Sequence, residues 1–440
     1  MQLPRSHKPG IRPGRVSYLV VILLLMFQTV QFFPGMAAIQ EVWYVFCFLY
    51  LVFGYTRLKS REHWKLDGFE WYLITIIAVV PIMSALCSRS EFGQPIAYGL
   101  VRERAIISIA AVLFCMTALR RRLFTLTEVK AALLTLAWGT AILWAFMRIA
   151  LNPADYVNTA NYIGFVGEGD EHRFVLQTQF IVFGVLYYAL RGLRTGRARN
   201  YLLGLLLLAG AVDKVGGRQM ILALLATFLF FAVLWTNLKR LLILLPAIAM
   251  GIGLIVGLLY FAMPQTVTER LGQFRDAFLV VFTGEAVEDS SATGRIGQVL
   301  IALDSIVERP AFGSGEISAQ WEGGVQSAIG ARFYGNDIGL IGAVYTYGFF
   351  GLVLYSGQYW FALRAVKNLP PASINPLLDS SKGFLLYTVL FSIGTGMFVF
   401  QAAESLFFVM LLRSMASKGR SEERTGEIKT QPLLSPRSAT

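Results

Sequence analysis

Residues 68–87 read GFEWYLITIIAVVPIMSALC, twenty positions with one charged side chain, Glu70, near the leading end. A helix rising 1.5 Å per residue crosses the hydrocarbon of a bilayer in about 20 residues, so this stretch predicts a membrane-spanning helix. Carrying the same rule outward in both directions gives further spans near 17–33, 36–55, 104–119, 128–150, 174–190, 200–212, 218–236, 240–262, 337–363, 383–399 and 402–413. The seventh and twelfth of these are short. Composition agrees: of 440 residues, 55% are hydrophobic and only 15% charged, with a mean hydropathy of +0.58, too apolar for a chain that keeps a solvated surface. The expectation is an all-α polytopic membrane protein of about twelve transmembrane helices. It divides into a bundle over 1–262, a large loop over 263–336, further spans over 337–413 and a tail over 414–440.

Orientation follows from Lys and Arg in short loops. Basic residues concentrate at 57–65, 120–130, 191–199, 239–240 and 364–382, on one side of the expected bundle. The opposite loops differ in kind: 151–173 carries Asp155, Glu168, Asp170 and Glu171, and 263–336 mixes both signs. The segment Met1–Arg15 is basic and the run Ser17–Phe33 has no small-residue cleavage site, so it reads as a retained first helix. Both termini are then cytoplasmic, and the long loop lies on the opposite side of the membrane. Within the loop, Ile296, Val299, Leu300, Leu303, Ile306 and Val307 recur at helical spacing, with Thr293 and Gly294 before them and Pro310 after. An amphipathic helix of roughly four turns results, either lying on the membrane surface or packing on the bundle. Val267, Leu271, Phe274 and Phe278 suggest a second. From Ser417 the tail is rich in Ser, Arg, Glu, Thr and Pro and reads as disordered.

Several chemistries are excluded. No glycine-rich loop runs into Lys-Ser or Lys-Thr, so an ATP-driven motor is not indicated. Cys47, Cys87 and Cys115 stand singly in apolar runs, and His7, His63 and His172 fall in three separate segments, so no metal site is expected. The net charge of +12 sits in short inter-helix blocks, where membrane orientation accounts for it without nucleic acid. Arginines on the opposite side are of another kind. Arg102 and Arg104 precede the fourth span, and Arg218 ends Asp213-Lys214-Val215-Gly216-Gly217-Arg218 where a helix begins. Free backbone N–H groups, the positive end of the helix dipole and a guanidinium together suit an anion, and the planar fork of Arg suits phosphate. Alone, such an arginine serves equally to reach lipid headgroups. A second one, Arg295 in Ser291-Ala292-Thr293-Gly294-Arg295 at the expected start of the loop helix, turns the reading toward a diphosphate.

The next stretch is the most distinctive. Arg309-Pro310-Ala311-Phe312-Gly313-Ser314-Gly315 closes the loop helix, and Tyr334-Gly335-Asn336-Asp337 leads into Ile338-Gly339-Leu340-Ile341 and Gly348-Phe349-Phe350-Gly351. Here the sequence resembles the superfamily of O-antigen ligases and Wzy-type O-antigen or exopolysaccharide polymerases. In topology the resemblance covers most of the chain; in motifs it covers Thr293 to Gly351, with Arg218 at the family's Ser-Arg position. It implies a GT-C-like membrane glycosyltransferase, without cofactor or metal, that acts on glycans carried by undecaprenyl diphosphate. Chain-length regulators and flippases are its expected partners. On this resemblance Arg218 and Arg295 hold the donor diphosphate, with Arg102, Arg104, Arg332, Tyr334 and Asn336 as further phosphate or glycan contacts. The ligases' His is replaced here by Tyr334 or Gly335, which disfavours a ligase and leaves the base open among Asp337, Glu316, His172 and Glu404. Each has a plainer role available: a helix cap for Asp337, solvation for Glu316 and His172, a turn cap for Glu404. Trp321, Phe333 and Tyr334 offer faces for sugars. A polysaccharide polymerase is the leading expectation; an O-antigen ligase and a secondary transporter or flippase are the rivals.

Overall fold

Asp67 begins the helix that residues 68–87 foretell. Its carboxylate accepts the backbone N–H of Phe69 and Glu70 at 2.8 and 2.9 Å, and Glu70 returns a carboxylate oxygen to the Asp67 N–H at 2.8 Å. This reciprocal cap satisfies N–H groups that a helix start leaves without partners. The structure, a computed structural model, describes residues 11–32, 36–62, 65–151, 164–166, 172–174, 177–212, 218–235, 290–322, 324–329, 333–369 and 375–424, with isolated positions between 253 and 272. In chain order the helices are α1 (Pro13–Met26), α2 (Ala37–Leu49), α3 (Thr56–Glu62), α4 (Gly68–Phe92), α5 (Ile96–Arg102), α6 (Ile109–Arg120), α7 (Leu126–Ala150), α8 (Gln179–Thr195), α9 (Ala198–Val212) and α10 (Arg218–Trp235). There follow α11 (Ser290–Glu308), α12 (Gly324–Ile329), α13 (Gly339–Lys367), α14 (Pro376–Thr395), α15 (Met397–Phe400) and α16 (Ala402–Arg424). Among the described residues the one departure from helix and turn is an antiparallel ribbon, β1 (Gly164–Val166) with β2 (His172–Phe174).

Polar side chains gather at two ends. At the end where α4 begins, Arg120 of α6 reaches Asp67 and Glu70, both at 2.7 Å, Lys59 of α3 reaches Glu70 at 2.8 Å, and Arg413 of α16 reaches Asp67 at 3.1 Å. Arg194 of α8 pairs with Asp379 of α14 at the same end and stacks 3.9 Å from the Trp235 ring. The basic blocks read from the sequence are thus partly consumed in tying helices together. At the other end, Arg104 clasps Glu41 of α2, Arg309 pairs with Glu91 at the end of α4, and Gln179 donates to Gln401 at 2.9 Å. Between the two ends aromatic rings fill much of the bundle interior, with Phe27 stacked on Phe180 at 4.9 Å and Phe384 tilted against Phe408 at 4.1 Å. Large apolar side chains also face outward along α2, the helical segment Tyr50–Tyr55 that follows it, α10 and α13, among them Val42, Phe53, Val233, Val353 and Leu363. Such a belt belongs against lipid.

Four described helices are long and apolar enough to cross a membrane: Ala37–Lys59, Gly68–Phe92, Leu126–Met147 and Gly335–Lys367. Pro13–Met26, Ala198–Ala209 and Gln219–Trp235 are shorter apolar helices. The structure therefore supports a helical membrane protein, but the expected twelve spans are not found among the described residues. The expected spans at 240–262 and the second loop helix near 267–278 lie outside them. Elsewhere the apolar runs break: a 3₁₀ turn at Glu103–Ser108 shortens the fourth, and Gly396, at φ +59°, divides 383–399 into α14 and α15. The run 402–413 is enclosed on all sides, with every residue from Ala402 to Leu412 at most 6% exposed. Its helix continues to Arg424, so the tail expected to be disordered from Ser417 is helical over its first eight residues, where Lys418, Arg420, Glu422, Glu423 and Arg424 are good helix formers.

The segment after α11 enters the bundle rather than lying over it. Residues Pro310–Glu316 run beside α13 where that helix is broken at Gly348, whose backbone is at φ +64°, ψ −176°. Ser314 and Gly315 donate to the carbonyls of Tyr345 and Thr346 at 2.8 and 2.9 Å, and Phe349 and Phe350 donate back to Pro310 and Ala311 at 2.8 and 3.0 Å. The break leaves backbone groups without helical partners, and the loop supplies them. α11 packs Val299, Ala302 and Ile306 with Phe333, Ile338 and Tyr345, while Ile296, Leu300, Leu303 and Val307 face outward, so its expected apolar stripe divides into two faces. Gly315, at φ +78°, lies so close to α4 that a Cβ there meets the Ser88 nitrogen at 2.6 Å. Gly315→Ala is expected to lower stability by about 1–3 kcal/mol and expose 310–322 to protease. Gly14→Ala, in open space, leaves both unchanged; thermal unfolding and limited proteolysis in detergent make the comparison.

Candidate functional site

α4 ends in small residues. Ser84, Ala85 and Ser88 are fully buried because α5 approaches on one side, with Gly99 against Ala85, and the inserted loop on the other. Past the helix end at Gly93, the buried Gln94 gives every polar atom of its amide to this junction. Its Nε2 donates to Ser88 Oγ at 2.9 Å and to the Glu316 carbonyl at 3.1 Å, and its Oε1 accepts from the Ser318 N–H at 2.7 Å. The Glu316 N–H donates to Ser84 Oγ at 2.9 Å. The loop backbone is therefore fixed on both sides of Glu316, and the direction of that side chain with it.

Glu316 accepts from Arg102 Nε at 3.2 Å; the arginine is half exposed and the carboxylate one-fifth exposed. Next in sequence to Arg102, Glu103 turns inward, 5% exposed, and accepts from the Tyr347 hydroxyl at 3.1 Å. Burial, and then the charge of Glu316, push the Glu103 carboxyl up to about 8, against the opposing hydroxyls of Ser84 and Tyr347 and the charge of Arg102. Glu316 in turn raises the Arg102 guanidinium above its ordinary value. Two carboxyls, one sealed and one open, thus sit beside one arginine that pairs with the open one.

A second group adjoins α10, which begins at Arg218 as the sequence reading requires. The neighbouring Gln219 side chain abuts Gly394 at the end of α14, and Gly339, at φ +63°, rests against Ile393 and Gly394. The start of α10 and the turn Gly335–Ile338 are thereby brought to one place. Glu404, in the first turn of α16, is 2% exposed, and neither of its carboxylate oxygens has a hydrogen-bond partner. It does not cap a turn. His172 pairs with Val166 in the ribbon that precedes α8.

Other expectations need correction. α11 starts at Ser290, so Arg295 is an exposed side chain in its second turn and not at its N-terminus. The free N–H groups invoked for it belong to earlier residues. Asp337 lies in the 3₁₀ turn, and Ile338 holds the cap position of α13, so the helix-cap role is not its own. Arg104 is committed to Glu41 through three donor contacts of 2.7–3.0 Å. Tyr334 is exposed and its N–H donates to Gln298 Oε1 at 3.0 Å, tying it to the helix of Arg295; Asn336 is exposed beside it. Arg332 lies outside the described residues. Among the described residues no group of three or more His, Cys, Asp or Glu is placed to hold a metal. Sequence reasoning missed Glu103 and Gln94. The signal for the first was present, an acid flanked by two arginines at the edge of an apolar run. Compared with family models, curated proteins and solved structures, the chain matches none.

The raised value of Glu103 has a consequence for stability. An acid whose folded pKa stands above its ordinary 4.5 stabilises the fold fully below that value and loses this contribution as pH rises toward about 8. The thermal midpoint in detergent is expected to decline between about pH 5 and pH 8, and to decline less in Glu103→Gln. Equal slopes in the two proteins contradict the assignment.

Proposed function

We propose that the chain is a membrane glycosyltransferase that polymerises oligosaccharide repeat units carried on undecaprenyl diphosphate, at the periplasmic face of the bacterial inner membrane. One observation carries the reading: Arg102, Glu103, Gln94 and Glu316 under the inserted loop lie at the same end of the bundle as the start of α10 and the buried Glu404. The opposite end holds its charges in ion pairs between helices. Basic loops on that opposite side support a cytoplasmic assignment for it and for both termini, and thus a periplasmic one for loop 263–336.

In the proposed reaction a hydroxyl of a fresh lipid-linked repeat unit attacks the anomeric carbon of the growing chain. The bond from that carbon to the diphosphate breaks, inverting the centre, and the diphosphate leaves with the electron pair. Arg218 and Arg295 supply positive charge where negative charge develops. For Arg295 this rests on the guanidinium alone, since no helix start lies beneath it. Tyr334 and Asn336 are the exposed groups offered to the glycan. A flippase delivering repeat units and a chain-length regulator are the partners this activity calls for.

Arg218→Ala and Arg295→Ala are each expected to abolish long polymer while the protein stays in the membrane at normal amount, with Lys restoring activity only in part. Gel analysis of surface polysaccharide and of lipid-linked intermediates reads the result. A deletion strain accumulates single repeats; full-length polymer stranded on its carrier refutes the polymerase assignment, and wild-type polymer in both arginine variants refutes the diphosphate site.

A further inference from the structure

We propose that Glu316, paired with Arg102 and backed by the sealed Glu103, is the proton acceptor of this cluster and takes the proton of an incoming sugar hydroxyl. The proposal rests on the polymerase reading for its substrate and on the geometry of the cluster for its residues. Glu316 is the member that an acceptor can reach: its carboxylate is one-fifth exposed, its backbone is fixed by Ser84 and Gln94, and Arg102 holds it at 3.2 Å. Glu103 is sealed, with one oxygen on the Tyr347 hydroxyl. Arg102 is the cation both carboxyls face. When Glu103 carries a proton, the charge of Arg102 serves Glu316 alone; when Glu103 ionises, the two carboxylates compete for it.

The step balances without a further reagent. The acceptor oxygen forms a bond to the anomeric carbon, the carbon–oxygen bond to diphosphate breaks with its electrons going to the phosphate, and the hydroxyl proton passes to Glu316. Around Glu103 the charged and titratable groups are Arg102 beside it, Glu316 on the loop, and Tyr347 and Tyr355 on α13, with Ser84 from α4. Glu41 and Tyr44 of α2 face the neighbouring Arg104. Each has a defined effect on Glu103: the charge of Glu316 holds its proton on, and Arg102 and Tyr347 work the other way.

Infrared titration of the full chain in detergent tests the cluster without requiring turnover. A protonated carboxyl band is expected to vanish with a midpoint of about 8, to be missing in Glu103→Gln, to shift to lower pH in Glu316→Gln and to higher pH in Arg102→Gln and Tyr347→Phe. Transfer between lipid-linked oligosaccharides in vesicles tests the chemistry: Glu316→Gln loses about a hundredfold or more in rate, the range of a missing general base. The wild-type rate falls above the Glu103 midpoint, and Glu103→Gln lacks that fall. No carboxyl titrating in this range, or wild-type transfer by Glu316→Gln, overturns the proposal while the polymerase reading stands. No transfer by the wild-type chain overturns the polymerase reading and the proton acceptor with it.

Discussion

Four backbone hydrogen bonds between Pro310–Gly315 and Tyr345–Phe350 hold the loop end of this protein together. A helix broken within an apolar bundle exposes N–H and C=O groups that lipid cannot satisfy, and an unsatisfied amide there costs several kcal/mol. The chain resolves this by threading its own loop into the break. Gly348 permits the reversal in α13, and Gly315 permits the approach to α4. Because the loop is tied to two helices at once, Glu316 is delivered to Arg102 on a rigid frame. The same contacts set α11 against the start of α13, where its inner apolar face packs.

The two ends of the bundle use charge differently. At the end where α4 begins, Asp67 and Glu70 are surrounded by Lys59, Arg120 and Arg413, drawn from three other helices. Burial works against an ionised Asp67, but the Glu70 N–H and the two arginines outweigh it, and its carboxyl is held below the usual range. That arrangement is a clamp. At the loop end the balance is reversed for Glu103, where burial and a like charge prevail over one shared arginine. A carboxyl left partly uncompensated is poor material for a clamp and suitable for moving a proton.

The candidate site was legible in part. Arg218 at a helix start followed from a glycine-rich turn ahead of an apolar run, and Glu316 from its place after Gly-Ser-Gly. The sequence places Arg295 at a helix start because the apolar stripe that marks α11 begins at Ile296, more than a full turn after the helix, and a hydrophobic period registers side-chain pattern and not backbone. Glu404 read as a turn cap because nothing local reveals that α16 is enclosed on every side. Glu103 was passed over because its partners, Tyr347 and Glu316, lie more than two hundred positions away.

By itself the sequence determined the solvent. Runs of apolar residues and the scarcity of charge set a helical chain in lipid, because those properties depend on local composition and on transfer free energy. Which apolar runs face lipid, which are enclosed, and where a helix breaks to admit a loop were decided only by the tertiary structure. Those outcomes depend on contacts between segments far apart in the chain, such as Gly315 against Ser84 or Glu316 against Arg102, and no local pattern records them.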